Sequence, residues 1–253
     1  MSGVTDWMAS AQVCNLSHMP KLILFDIDGT LVLTGGAGIR AMNRAGEEIL
    51  GVLNLLDGIA CAGRTDWIIL HDALTKAGHE LDEALFARMR DAHIRYLAEE
   101  IEHPGDGVKD VMPGIRELLP VLQSRDDVFL GLLTGNFADA AEVKLAHFDL
   151  WRYFRCGAFG EDAHDRNHLV PVALDRARGR GLPDHVDAGR TVVIGDTPRD
   201  IACARAHGAR VVAVATGEYK VDALKHADVV FADFSDTQAV LDAILVMGTV
   251  PRT

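Results

Sequence analysis

The sequence predicts an α/β fold: a doubly wound parallel sheet forming a Rossmann-like core, with a small all-helical cap domain inserted into it. Three observations predict this. Short, nearly continuous Val/Ile/Leu runs alternate with helical patterns, as strands buried on both faces and their crossover helices do. Three of these runs end in acidic or Thr-Gly motifs just before a helix. Between the first two runs lies a stretch of about seventy residues with helical spacing and no strand, too long for a simple crossover and too regular for a loop.

In chain order the strand candidates are residues 21–26, 128–134, 154–159, 191–196, 210–215 and 228–231, and helices are expected at 114–124, 137–148, 167–180, 199–207 and 236–246. Helix-like stretches at 37–50, 66–77 and 82–102 fill the insertion. In the last, Leu81, Leu85, Phe86, Met89, His93, Tyr96 and Leu97 recur at helical spacing. The glycines at 35–38 mark the outgoing hinge, and residues 103–107, with Pro104, Gly105 and Gly107, the return. The expected division is therefore a leader at 1–19, a core at 20–35 and 108–253, and a cap at 36–107.

The chain has 253 residues, of which 49% are hydrophobic, enough for a core domain plus a smaller insert. Its net charge of -12 argues against a general nucleic-acid or anionic-membrane surface. A phosphate substrate would then need a positive field made by the site itself. Cys14, Cys61, Cys156 and Cys203 form no C-x-x-C pair and read as reduced structural thiols. The leader, with Asp6 near its start and no apolar run between basic flanks, is not a secretory signal; it reads as flexible, and Met19 competes with Met1 as the start. No segment approaches the roughly 20 apolar residues of a membrane span, so a cytoplasmic protein is expected. Nothing in the sequence sets an oligomeric state.

Chemistry concentrates at three strand ends. Asp26 and Asp28 follow the run Leu22–Phe25, two residues apart and able to project to one side. Leu133-Thr134-Gly135-Asn136 ends the second strand, where a hydroxyl and free N–H groups at a helix start can cradle phosphate. Gly195-Asp196-Thr197-Pro198-Arg199-Asp200 ends another, and one helical turn brings Asp196 and Asp200 together. Turn formation and helix capping account for single members of this set, not for the set. Four carboxylates at one sheet edge repel and call for a hard cation with oxygen ligands.

These motifs, D-I-D-G-T-L, L-T-G-N and G-D-T-P-R-D in that order, resemble the haloacid dehalogenase superfamily from Lys21 to about Val246, and the insertion resembles the helical cap of its phosphoglycolate-phosphatase-like members. The resemblance implies a Mg²⁺-dependent phosphoric monoester hydrolase acting on a small-molecule phosphate ester, phosphoglycolate or a similar metabolite. It implies that Asp26 attacks phosphorus and becomes a transient aspartyl phosphate, and that Asp28 serves as acid and then base. It gives Mg²⁺ to Asp26, the Asp28 carbonyl and Asp196, with Asp200 beside them, and phosphoryl oxygens to Thr134 and the backbone around Gly135 and Asn136. Asp28 itself speaks for phosphate transfer, because the dehalogenases lack a second Asp there. A phosphoaspartate signalling module is the main alternative, and the insertion and second Asp count against it.

The family's usual Lys before the helix that follows the third strand is missing. Arg166 stands in that region, with Lys144 as the competing basic residue and a solvated helix lysine as its plain reading. In the cap, Gly63-Arg64-Thr65-Asp66 lies where members place a loop over the site. Arg64 could meet a second anionic group on the substrate, and Asp66 could cap the next helix. His164 and His168, four apart, read as a solvated or hydrogen-bonded pair rather than a zinc site.

Overall fold

The computed structural model describes residues 19–80, 82–105 and 107–246; nearly all of the leader, Cys14, Leu81 and the last residues lie outside them. The apolar runs become a parallel sheet of strands β1 (Lys21–Phe25), β4 (Val128–Leu133), β5 (Cys156–Ala158), β6 (Thr191–Gly195), β7 (Arg210–Val214) and β8 (Val229–Phe231), in the order β5-β4-β1-β6-β7-β8. Every residue of β1 is buried, as a central strand covered on both faces requires.

Side chains alternate between the two faces with the pleat. Ile23 and Phe25 join one core with α4 (Ile115–Gln123), α5 (Ala138–His147) and α8 (Thr237–Val246). Leu22 and Leu24 join the other with α6 (Leu169–Arg178) and α7 (Pro198–Ala206). The fold is thus the expected doubly wound sheet.

One element was not expected. Strands β2 (Val32–Thr34) and β3 (Lys109–Val111) form an antiparallel ribbon, with Val32 opposite Val111. At three residues each they are too short to show a period. This ribbon carries the chain out of the core and back, and Gly35 N–H donates to the Val108 carbonyl at 2.9 Å just beyond it.

Between the ribbon strands lie α1 (Ala37–Leu50), α2 (Asp66–Lys76) and α3 (Glu83–Glu100). They bury a core of their own around Met42, Leu55, Leu56, Leu70, Leu74 and Met89. Arg40 and Arg44 of α1 hold Glu100 of α3 at 2.7 and 2.9 Å. A second apolar seam, Ala37, Ala41, Leu97 and Ile101 against Phe137 and Ala140, joins these helices to the start of α5. Among the described residues no helix is long and apolar enough to cross a membrane, and Cys61, Cys156 and Cys203 are unbridged.

Candidate active site

Three strands end side by side, because Phe25 is in register with both Leu132 and Ile194. The residues that follow leave the sheet together at its carboxyl edge, where open α/β sheets place ligands. Asp26 stays fixed there by donating its N–H to the Ile194 carbonyl at 2.9 Å. The loop beyond it is tight: Leu31 and Val32 N–H groups both donate to the Ile27 carbonyl, at 2.8 and 3.1 Å. Gly29 sits in this loop at φ 81°, and a Cβ there would lie 2.5 Å from Asp196 Oδ2. Only glycine lets the first acidic loop lie against the second acid.

The carboxylates of Asp26, Asp196 and Asp200 come within 4.8 Å of one another, all buried. Arg166 Nη2 lies 3.2 Å from Asp26 Oδ1 and also bonds Asp200. Burial works against the guanidinium's charge, but Asp200 and Asp26 outweigh it and hold Arg166 above its ordinary range. Burial raises Asp26 to about 6, opposed by Arg166 and reinforced by Asp200 and Asp28. Burial, then Asp200 and Asp26, raises Asp196 to about 8, although Thr30 Oγ1 donates to it at 3.0 Å. The cluster is thus short of positive charge and offers only oxygen donors. That donor set fits a hard divalent cation.

Asp28 faces elsewhere. Lys144 Nζ donates to its two carboxylate oxygens at 2.8 and 2.7 Å and to Asn136 Oδ1 at 2.6 Å. Asn136 Nδ2 donates to Asp28 Oδ2 and to Thr134 Oγ1, each at 2.8 Å. Thr134 is fully buried, and with its oxygen accepting from Asn136, its own O–H remains a donor. Of the expected metal-holding acids, Asp28 thus lies outside the converging carboxylates of Asp26, Asp196 and Asp200.

The insertion closes over this floor. Asp66 N–H donates to the Gly135 carbonyl at 2.7 Å, and Phe137 N–H donates to Asp66 Oδ2 at 2.9 Å. A Cβ on Gly135 would come within 1.9 Å of the Arg64 carbonyl, so this glycine admits the cap loop. Arg166 Nη1 donates to the Gly63 carbonyl at 3.3 Å. The cavity between them, about 530 Å³ and open to solvent on one side, is lined by Asp26, Asp28, Thr134, Lys144, Arg166 and Asp196 below and by cap residues above.

Several expectations change in detail. Asp66 does not cap its own helix; Thr65 does, accepting from Ile68 N–H at 3.3 Å, while the Asp66 carboxylate serves the start of α5. Asn136, expected to touch substrate, lines the cavity and also ties Thr134, Asp28 and Lys144 together. Arg64 lines the cavity, but its Nη1 donates to the Ala60 carbonyl at 3.1 Å and its Nη2 to Asp72 at 2.5 Å. His164 stacks on Trp67 with centroids 3.6 Å apart. Lys144 is no solvated lysine: it is buried, and its place on the buried face with Ala140, Ala141 and Leu145 is visible in the spacing of α5.

Residues 23–214 match the family model of haloacid dehalogenase-like hydrolases. A phosphoglycolate phosphatase of Pseudomonas syringae pv. tomato is 30% identical over 79% of this chain and 71% of its own length. A probable phosphatase, IndB, of Dickeya dadantii is 26% identical over 92% of this chain and 98% of its own. Among solved structures, CbbY from Rhodobacter sphaeroides in complex with phosphate superposes with a TM-score of 0.67 at 20% identity, covering 88% of this chain and all of that one; that likeness carries the fold. With the sheet order, the strand-end acids and the family match in agreement, the chain belongs to the haloacid dehalogenase-like hydrolases.

Proposed function

We propose that the protein is a cytoplasmic phosphatase hydrolysing a small-molecule phosphate monoester through an aspartyl-phosphate intermediate on Asp26. The observation that carries this reading is the convergence of the Asp26, Asp196 and Asp200 carboxylates within 4.8 Å under a cavity that Thr134 and Asp28 also line. The phosphatases among its relatives point the same way, and they make phosphoglycolate the first ester to test. Residues 36–107 act as the cap domain, and 20–35 with 108–253 as the catalytic core.

Asp26 Oδ attacks phosphorus as the bond to the leaving oxygen breaks. A proton from the Asp28–Lys144 pair passes to that oxygen, and the hydrolytic water returns one to the pair when it attacks the aspartyl phosphate. Arg166 holds the Asp26 carboxylate in place, and Thr134 O–H donates to a phosphoryl oxygen as charge shifts onto it. Asp200 keeps Arg166 and the Thr197 hydroxyl in register, the latter at 2.7 Å. Asp26, Asp196 and the Asp28 carbonyl, with Asp200 beside them, would hold Mg²⁺. When bound, the ion supplies the positive charge that lets an anionic phosphate approach an anionic nucleophile.

The test is phosphate release from an ester panel with Mg²⁺ and with a chelator, for wild type and Asp26→Asn, together with trapping of acid-stable, hydroxylamine-labile phosphoprotein. Turnover confined to metal-loaded wild type, with a trapped acyl phosphate, supports the proposal. Full activity in Asp26→Asn would overturn it.

A further inference from the structure

The cavity's charged groups are already spoken for. Arg166 is engaged with Asp26 and Asp200, Lys144 with both oxygens of Asp28 and with Asn136, and Arg64 with Asp72 and the Ala60 carbonyl. The other basic side chain of the lining is His93, which is buried; burial and then the Lys144 charge push it down to about 3, so it is neutral at ordinary pH. Asp66 and Glu218 also line the space. A second carboxylate or phosphate on the substrate would meet no uncommitted cation among the described lining residues, inside a protein of net charge -12.

The side of the cavity away from the acids is largely apolar. Ile39, Met42, Leu56 and Ile69 of the cap line it with Leu33 of the connecting ribbon and Val108 just beyond it, and Ile39 and Val108 remain 50% and 64% exposed at its rim. Apolar area left in water is stabilised by about 25 cal/mol per Å² once a ligand covers it. A volume of about 530 Å³ falls within the ~300–1,000 Å³ of pockets that enclose drug-sized ligands, far beyond what a two-carbon acid fills. Beside this apolar surface, His93 Nδ1 is buried without a hydrogen-bond partner.

Resting on the phosphatase reading, we infer that the substrate is a phosphate monoester whose leaving group is uncharged, bulkier than glycolate and largely apolar. Its carbon face packs against Met42, Leu56 and Ile69, with an oxygen or N–H available to His93. The site discriminates against esters that carry a second anionic group.

A matched set of esters separates charge from size: phenyl phosphate, 4-carboxyphenyl phosphate and 2-phosphoglycolate, each assayed for kcat/KM with Mg²⁺ present. The expected order places phenyl phosphate about 10-fold or more above both carboxylated esters. Ile39→Lys, at an exposed rim position where folding is not at stake, is expected to narrow the phenyl to carboxyphenyl ratio several-fold by supplying the missing cation. Equal or better turnover of either carboxylated ester overturns the inference and leaves the phosphatase reading intact. An unmoved ratio in Ile39→Lys overturns the placement of the leaving group under the roof. If none of the esters is hydrolysed, the phosphatase reading falls and takes the inference with it.

Discussion

On the core side of the cavity, charge meets charge: Arg166 sits 3.2 Å from Asp26 and Lys144 2.7 Å from Asp28. On the cap side, the same space is bounded by Met42, Leu56 and Ile69 beside a neutral histidine, and the Arg64 charge there is already paired with Asp72. The floor is made of strand ends held in register by the sheet, so its groups are ordered before any ligand arrives. Preorganised charge of this kind acts on the transition state without rearranging during the reaction. The roof is made of helices with a core of their own, joined to the floor through a ribbon, a seam and one loop. The lesson is a division of labour: the floor decides which bond breaks, and the roof decides which leaving group is accepted.

The comparison is broken most directly at the floor. Asp26→Asn is expected to cost kcat on the order of 10⁴-fold or more while the thermal midpoint stays or rises, since a mutual repulsion is relieved. Phosphate release and a melting curve on the same preparation check both halves. Arg166→Ala should cost about 10²–10³-fold in kcat, as loss of one aimed donor does. It also leaves Asp26 and Asp200 buried without their cation, a loss of roughly 3–5 kcal/mol in stability. Arg166→Lys keeps the charge but not the two-pronged geometry, so it should recover stability more than rate.

Lys144→Met tests the second basic group and is expected to lower kcat by about 10–10²-fold, because Asp28 loses the partner of both its oxygens. Its signature is an altered pH–rate profile, which a purely structural lysine would not give. A larger kcat loss for Lys144→Met than for Arg166→Ala would reverse the order assigned to the two residues.

The sequence announced the strand-end acids and the cap helices, but not how their side chains pair. Asp26, Asp28, Asp196 and Asp200 each follow a buried strand at fixed spacing, and register converts that spacing into proximity. The length of β1 and the site of Thr134 were legible for this reason. The ribbon β2–β3 was not, because a pair of three-residue strands is defined by its partner rather than its own pattern. Nor was the task of Asn136, whose amide is committed by Asp28 and Lys144, residues set near it only by tertiary packing. Arg64 shows the same limit: Asp72, on the next helix, decides where its charge goes.

The smallest effect belongs to the roof, and it turns on pH. His93 titrates near 3 in the folded chain against 6.5 ordinarily, with burial as the main cause and Lys144 adding to it against the opposing pull of Asp28. As pH falls below about 6.5 the unfolded chain takes up this proton first, so stability contributed by neutral His93 is present above that pH and is lost progressively toward pH 3. Linkage puts the loss between pH 7 and pH 5 at about 2 kcal/mol for this group. His93→Gln, neutral throughout, should therefore lose less stability than wild type over that interval, although it is the less stable protein at pH 7. Denaturant melts of both proteins at the two pH values isolate the difference, since every other titrating group is common to both. Parallel losses would mean that the histidine keeps its ordinary value of 6.5 in the folded chain, and the roof would then gain a cation for an anionic leaving group below that pH.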